Sequence, residues 1–447
     1  MTTQTFAGRL KAECAVAPGS HVLVAVSGGA DSMALLCFFC EVRETFPLQI
    51  SCAHMEHGIR GAASVEDMRF VRVLCEKWNV PFYAEQADVP GYARAHGCGL
   101  EDAARILRYR FLRKTAGKIG ADCIALAHHQ MDQAETLLLH AARGCDLRGL
   151  CGMRARRGDL IRPLLEETPE SLRQAMSERG ISWREDESNT CEEYARNRIR
   201  HQVLPALESV NPGAQAALAR LAQAAQRDEA YFSEEITARR LDRVIQLVNG
   251  AAVPKKLWAN QHEALVSRAL VSALEKAGIE PQSAQTMERL LDVLNTGKKA
   301  AVNLTGGARA ELGEAYLCLT RADSPMEDTP LSQAGKTQTP FGTFFVRAAL
   351  PGETGDGVTS QTISKALFRG AVVGMRREGD RMTPFGAHSP VKLKKLLEGI
   401  EGAMRKSVPV VRTGEEILWL PGVRPAEACR AESGEERLFV TFKGLNG

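Results

Sequence analysis

A short polar segment between two apolar stretches carries the first residues that could do chemistry. The apolar run that begins at Val22 stops at Ser27, and a helical pattern of apolar residues starts after Asp31. Glycines let backbone N–H groups approach an anion closely, and a helix that begins there directs the positive end of its dipole at the same place. The segment lacks the Lys-Ser/Thr pair of the kinase-type loop and the third glycine of dinucleotide-binding loops. It therefore predicts a phosphate-binding loop of another type, formed by Ser27, Gly28, Gly29, Ala30, Asp31 and Ser32.

A second polar segment, HHQMDQAET from His128, supplies an imidazole and carboxylates. Spacings of four and three residues predict that His128, Asp132 and Glu135 share one face of a helix. Groups of these types can exchange protons with a substrate. The same set could bind a divalent metal ion, or it could be an ordinary helix N-terminus, and the sequence leaves these alternatives open.

The elements around both segments indicate how they are positioned. Strand-like runs at 21–27, 48–54, 82–89 and 122–129 alternate with helical patterns such as 64–78 and 100–118. This alternation predicts an α/β domain with a parallel sheet flanked by helices. Such sheets bind ligands at the carboxyl ends of their strands, and both polar segments fall there.

Changes in composition and charge along the 447-residue chain indicate its domain boundaries. We predict a catalytic domain at 1–212, a mostly helical middle domain at 213–325, a linker and domain start at 326–360, and a β-rich basic domain at 361–447. Net charge is only +3, but residues 361–412 hold eleven Lys and Arg and four Asp and Glu, an excess of seven positive charges. A polyanion could bind this region, and a solvated basic face is the alternative.

Hydrophobic residues make up 44% of the chain, with no long apolar run and no leader-like N-terminus, so we expect a cytoplasmic protein. Its twelve scattered cysteines indicate reduced thiols rather than a disulfide framework.

Several motifs resemble known families. The segment SGGADS resembles the PP-loop, SGGxDS, of the ATP pyrophosphatases, which cleave ATP between its α and β phosphates. Longer motifs resemble the tRNA(Ile)-lysidine synthetases: HMEHGIRGAASVEDMRFVRVLC from His54, LEDAARILRYRFL from Leu100, AHHQMDQAETLLLHAARGCDLRGLCGM from Ala127, and REDESNTCEEYARNRIRHQVLPALESVNP from Arg184. RREGDRMTPFG from Arg376 and LKKLLE from Leu393 resemble that family's C-terminal domain.

The resemblance implies a reaction on the wobble cytidine of the isoleucine tRNA that has a CAU anticodon. ATP adenylates the C2 oxygen of the base, and the ε-amine of free lysine then displaces AMP to give lysidine. The implied ligands are ATP, Mg²⁺, lysine and this tRNA, and no membrane is involved. The oligomeric state stays open, with a homodimer among the alternatives.

The resemblance also implies roles for individual residues. Asp31 would hold Mg²⁺, while Arg105 and Arg143, with Arg108 as a further candidate, would neutralise pyrophosphate. Asp132 and Glu135 would hold the lysine ammonium and relieve it of a proton, and His128 would contact ATP or cytosine. Arg196 and Arg200, with Asn189 and Asn197, would close over the site and contact the tRNA. The predicted distant contacts to tRNA are Arg376, Arg377, Arg381, Lys392, Lys394 and Lys395.

Three other functions compete with this one. A thiolase of the same superfamily would use paired cysteines, but the one C-x-x-C, Cys37 and Cys40, lies in an apolar helical pattern typical of core packing. An amide-forming enzyme fed by glutamine would need a glutaminase domain or an N-terminal nucleophilic cysteine, and neither is evident. A tRNA-binding protein with an inactive loop is disfavoured by the intact SGGADS and HHQMDQAET segments.

Overall fold

The computed structural model describes residues 1–56, 62–184, 195–322, 326–430 and 435–445, with the side chains of 62–65 left out. The chain forms two compact units, Met1–Ala230 and Tyr231–Gly447. The predicted first boundary, after residue 212, therefore lies eighteen residues before the end of the first unit, and the unit boundary falls within a long helix, Ala214–Ala238.

A six-stranded sheet forms the centre of the first unit. Its strands are β1 (His21–Ala25), β2 (Gln49–Glu56), β3 (Phe82–Gln86), β4 (Cys123–Ala125), β5 (Arg156–Arg157) and β6 (Leu160–Ile161), in the order β3-β2-β1-β4-β6-β5. All neighbours are parallel except β5 and β6. The strand order reverses between β1 and β4, so the loops that follow these two strands lie side by side at the carboxyl edge. This fold confirms the predicted parallel α/β arrangement.

Helices cover both faces of this sheet because its central strands are apolar on both sides. Val22 and Val24 pack in one buried cluster while Leu23 packs in another, as the two-residue period of a strand requires. The helices of this unit are α1 (Thr3–Ala12), α2 (Ala30–Val42), α3 (Ala62–Lys77), α4 (Val89–His96), α5 (Leu100–Ile119), α6 (Gln130–Ala142), α7 (Leu147–Leu150), α8 (Pro169–Glu178), α9 (Ala195–Arg198), α10 (Leu204–Val210) and α11 (Ala214–Ala238), the last of which continues into the second unit. A π-helix, Ile199–Val203, joins α9 to α10.

The first part of the second unit falls in the region predicted to be mostly helical. Its short strands form one antiparallel sheet. The strands are β7 (Ile245–Leu247), β8 (Gly250–Pro254), β9 (Ala300–Asn303), β10 (Arg309–Leu312) and β11 (Tyr316–Thr320), in the order β7-β8-β11-β10-β9. Helices α12 (Glu263–Lys276) and α13 (Ala284–Thr296) pack with this sheet in a core of their own.

The C-terminal part is β-rich, as predicted. Its strands are β12 (Thr329–Pro330), β13 (Gly335–Thr339), β14 (Gly342–Ala348), β15 (Ser360–Ser364), β16 (Val372–Gly374), β17 (Arg381–Met382), β18 (Val391–Lys392), β19 (Val410–Thr413), β20 (Glu416–Leu420), β21 (Arg424–Pro425) and β22 (Arg437–Gly444), with one short helix, α14 (Leu393–Leu396). They form antiparallel sheets of five, four and two strands, and the buried rings of Phe344 and Trp419 pack edge to face in the core. Within the described residues, no helix is long and apolar enough to cross a membrane.

Candidate active site

The loop after β1 is held in shape by one hydroxyl group. Ser32 Oγ accepts hydrogen bonds from the backbone N–H groups of Ser27 and Gly28, at 3.1 and 3.2 Å, and donates to the carbonyl of Gly29 at 3.0 Å. Gly28 has a φ of +99°, a conformation that residues with a Cβ rarely adopt. The loop then enters α2 at Ala30 without a side-chain cap, so the first amides of that helix have no cap side chain as acceptor.

In the loop after β4, the position of His128 differs from the prediction. Helix α6 begins at Gln130 and His129 is its N-cap residue, so His128 precedes the helix and does not share its face with Asp132 and Glu135. His128 nevertheless lines the pocket beside the phosphate-type loop. Burial and nearby guanidinium groups lower the pKa of His128 to about 3, which keeps the imidazole neutral, and its buried Nδ1 has no hydrogen-bond partner.

His129, which is not among the predicted site residues, links the two loops. Its side chain is 6% exposed, with Nε2 3.5 Å from Asp31 Oδ2 and Nδ1 3.4 Å from Asp132 Oδ2. Burial alone would lower the pKa of His129, but the two carboxylates outweigh burial and raise it. The sequence signal was the spacing of three residues between His129 and Asp132, which is the spacing of an N-cap residue and position N3.

Asp132 and Glu135 project from α6 toward two arginines. Arg196 Nη2 and Arg200 Nη2 donate to Asp132 Oδ1 at 3.0 and 3.2 Å, and Asp132 Oδ2 accepts the backbone N–H of His129 at 2.9 Å. Arg196 Nε donates to Glu135 Oε2 at 2.6 Å, and Arg200 Nε donates to Glu135 Oε1. Burial alone would raise the pKa of Asp132, but charged neighbours, His129 foremost, lower it. Asp132 is therefore ionised, and both acids are paired with guanidinium groups.

The three candidate arginines lie in different surroundings. Arg108 on α5 lines the pocket, and its buried Nε has no hydrogen-bond partner. Arg105, one turn earlier, is exposed and lies 5.1 Å over the ring of Tyr109. Arg143 is the exposed C-cap residue of α6, about 20 Å along that helix from its first residue. The described residues that line the pocket include neither Arg105 nor Arg143, whose roles stay predictions.

These groups surround one cavity of about 330 Å³ at the carboxyl edge of the sheet. Besides the predicted loop residues other than Gly28, its lining includes several residues that sequence reasoning missed: Asp67, Arg173, Trp183 and Arg184. Arg184 donates to Asp67 Oδ1 at 2.9 Å, and its backbone N–H donates to the carbonyl of Gly28 at 3.0 Å. The only sequence signal for this segment was its place at the start of the fourth motif. Asn189 lies outside the described residues.

The cavity includes a position suited to a cation. Asp31 Oδ1 is buried and has no hydrogen-bond partner, which is the state of a carboxylate oxygen that a metal ion would satisfy. Among the residues that the structure describes, no three His, Cys, Asp or Glu side chains form a metal-binding group. Mg²⁺ is usually held by one or two carboxylates with phosphate and water oxygens, so the single oxygen of Asp31 fits Mg²⁺ rather than a structural metal site.

The state of the cysteines favours a role in packing over one in metal-cluster or persulfide chemistry. Eleven described cysteines are free thiols. Burial raises the pKa of Cys37 to about 12 and that of Cys40 to about 11, so neither is readily the thiolate that a metal cluster or a persulfide requires.

The basic residues predicted to contact tRNA in the C-terminal part are exposed: Arg376, Arg377, Arg381, Lys392, Lys394 and Lys395. Arg381 on β17 lies directly opposite Lys392 on β18, an arrangement of like charges that costs stability unless an anion binds. Lys394 and Lys395 follow on α14. Arg377 differs from these because its guanidinium already pairs with Asp328 at 2.7 Å.

Known proteins match this chain along nearly its whole length. A family model described as a PP-loop domain matches residues 2–207, and one described as the TilS substrate C-terminal domain matches residues 371–441. The chain is 32% identical over 444 residues to a tRNA(Ile)-lysidine synthase of Geobacter sulfurreducens, covering 95% of this chain and 93% of the relative. It is 30% identical to the tRNA(Ile)-lysidine synthase of Geobacillus kaustophilus, over 96% of both chains, and 30% identical to that of Bacillus subtilis, over 91% of this chain and 90% of the relative.

Proposed function

Because the chain belongs to the tRNA(Ile)-lysidine synthase family, we propose that the pocket at the carboxyl edge of the sheet joins lysine to C2 of the wobble cytidine in the CAU-anticodon isoleucine tRNA. In the first step the C2 oxygen attacks the α-phosphate of ATP, and pyrophosphate leaves. In the second step the ε-amine of lysine attacks C2, and AMP leaves with the oxygen. The product pairs with A instead of G, which changes the tRNA from methionine to isoleucine identity.

The observation that carries this proposal is the meeting of the phosphate-type loop with Arg108, Asp31 and His128 around one cavity. The adenylation step places growing negative charge on pyrophosphate, and preorganised donors stabilise such charge best where water is excluded. The first amides of α2 and the unpaired Nε of Arg108 supply donors. Mg²⁺ bound at Asp31 would supply charge neutralisation on the phosphates.

The second step needs a neutral amine, although free lysine is protonated at neutral pH. The lowered pKa of Asp132 makes this carboxylate a weak base and a good partner for an ammonium ion. Of the two parts of its predicted role, Asp132 is therefore suited to hold the lysine ammonium rather than to accept its proton. The low pKa of His128 similarly favours hydrogen bonding to ATP or cytosine over proton uptake.

The tRNA is much larger than the cavity and needs contacts away from the anticodon. We assign these to the exposed cations of the C-terminal part, Arg376, Arg381, Lys392, Lys394 and Lys395, with Arg377 available if it leaves Asp328. Their phosphate contacts would position the RNA without reading its sequence.

The decisive experiment incubates the full chain with ATP, isotopically labelled lysine and a transcript of the CAU-anticodon isoleucine tRNA. Nucleosides from the digested RNA are then identified by mass spectrometry, and we expect labelled lysidine. Asp31→Asn should abolish adenylation, measured as pyrophosphate release, and leave tRNA affinity nearly unchanged. Unmodified cytidine with the unaltered protein contradicts the proposed function, and normal turnover by Asp31→Asn contradicts the metal assignment.

A further inference from the structure

The two carboxylates on the inner face of α6 are already occupied by cations of the same chain. Asp132 and Glu135 together accept four guanidinium hydrogen bonds, two from Arg196 and two from Arg200. The remaining oxygen of Asp132 accepts the amide of His129. Every carboxylate oxygen of the pair thus has a donor.

The two carboxylates have no unpaired negative charge left for another cation. The side chain of Glu135 is fully buried and that of Asp132 is 12% exposed. The two negative charges face two positive charges, so the cluster is neutral and does not attract an ammonium ion as a bare carboxylate pair would. A lysine ammonium must therefore compete with the two arginines for these oxygens.

Both arginines lie on one short segment, and one of them, Arg200, lines the cavity beside the phosphate-type loop. Arg196 is on α9 and Arg200 is in the π-helix that follows it, an irregular geometry that often marks functional segments. Their side chains are 25% and 23% exposed, and Arg200 also lines the cavity that contains Ser27 and Asp31. A phosphate entering that cavity would therefore meet a guanidinium, which binds phosphate and carboxylate with the same forked geometry.

We propose that the guanidinium groups of Arg196 and Arg200 act as placeholders, which occupy the carboxylates of Asp132 and Glu135 until the lysine ammonium replaces them. A phosphate of an incoming substrate draws the arginines away from Asp132 and Glu135, and the vacated carboxylates then accept lysine. This inference rests on the proposed function and adds an order to it, in which the lysine site opens only after a phosphate-bearing substrate is bound. The phosphate belongs either to ATP or to the tRNA backbone.

Binding measurements on the unaltered chain test this exchange without turnover. Lysine is titrated calorimetrically into the protein alone, into protein with α,β-methylene ATP, whose α–β bond resists cleavage, and into protein with the tRNA transcript. We expect lysine affinity to rise about tenfold or more in at least one of the two phosphate-bearing arms, and the arm that responds identifies the source of the phosphate. Because coupling is reciprocal, saturating lysine must tighten that same ligand by the same factor. Equal lysine affinity in all three titrations overturns the inference.

Arg200→Gln provides a second test because it removes one placeholder and keeps a polar side chain of similar length. We expect this variant to bind lysine more tightly than the unaltered protein in the absence of phosphate, and to lose most of the coupling. Arg179→Gln is the matched control, since Arg179 pairs with Glu41 at similar exposure in the same unit, away from the cavity. If Arg200→Gln does not fold, the titrations of the unaltered chain decide. Lysidine formation without coupling overturns the exchange alone, whereas coupling without lysidine overturns the proposed function alone.

Discussion

Substituting alanine for each of the two loop glycines separates backbone conformation from phosphate contact. At Gly28 the φ of +99° strains any residue with a Cβ, although the added atom would lie 3.5 Å from Val71 Cγ2, an ordinary contact. At Gly29 the φ of −74° is ordinary, and the added Cβ would lie 3.7 Å from Ser27 Oγ. The two variants therefore differ in strain and are alike in available space.

The strain at Gly28→Ala should cost about 1–2 kcal/mol of folding free energy. For a unit of this size we expect the melting temperature of the first unit to fall by roughly 2–8 °C. If the loop relaxes instead of unfolding, the same energy should weaken ATP binding by a factor of about 5–30. Gly29→Ala should melt at or slightly above the unaltered protein, because alanine restricts the unfolded chain and fits the native φ.

Thermal unfolding of the full chain and calorimetric titration with ATP measure both effects. A loss of ATP affinity in Gly29→Ala with unchanged melting would place a phosphate directly against the loop. The reasoning is refuted if Gly28→Ala melts and binds ATP like the unaltered protein, or if Gly29→Ala lowers the melting temperature as much as Gly28→Ala does.

Three other predictions address the cavity and the basic surface. Arg108→Gln should lower the adenylation rate by about 10²-fold or more, measured by ATP–pyrophosphate exchange, and the same assay on Arg105→Gln and Arg143→Gln tests their predicted roles. Because the pKa of His129 is raised, the stability that its protonation contributes is complete below about pH 6.5 and is lost as pH rises through the folded-state pKa. His129→Gln should therefore reduce the fall in melting temperature between about pH 6 and about pH 8. An unchanged pH dependence would contradict this assignment. Replacing Arg381, Lys392, Lys394 and Lys395 by Gln should weaken tRNA binding. It should also reduce the slope of log affinity against log salt by about 0.7–0.9 for each phosphate that is no longer neutralised. The control Lys365→Gln removes a cation already paired with Glu436 and should change neither the affinity nor the slope.

The secondary structure of the first unit could be predicted because its signals are local. Strands β1 to β4 begin and end within about four residues of the predicted runs, whereas β5 and β6 were not predicted. The helices at Ala62–Lys77 and Leu100–Ile119 match the predicted 64–78 and 100–118. Apolar periodicity depends only on neighbouring residues, and the parallel order follows from alternation of strands and helices. The pairing of distant strands then places both loops at one edge without further information.

The identity of individual site residues depends on details that periodicity does not carry. Spacing favours His128 over His129 only if α6 begins before Gln130, and a shift of one residue decides which imidazole caps the helix. The sequence motifs favour Arg105 over Arg108, although Arg108 precedes the buried Phe111 and Leu112 by three and four residues and so lies on the inward face of α5. That spacing was the available signal.

The pairing of Asp132 and Glu135 with Arg196 and Arg200 could not be predicted because more than sixty residues separate the partners. It has a physical reason in the proposed reaction, whose steps need charge of opposite sign. Adenylation needs cations near the leaving pyrophosphate, and the transfer step needs anions near an ammonium ion. A site that held either set alone would carry an uncompensated buried charge in one of the steps, which is strongly unfavourable. Two acids paired with two arginines form a neutral cluster when neither phosphate nor lysine is bound. The same residues can therefore serve both steps if the arginines move to phosphate before lysine binds.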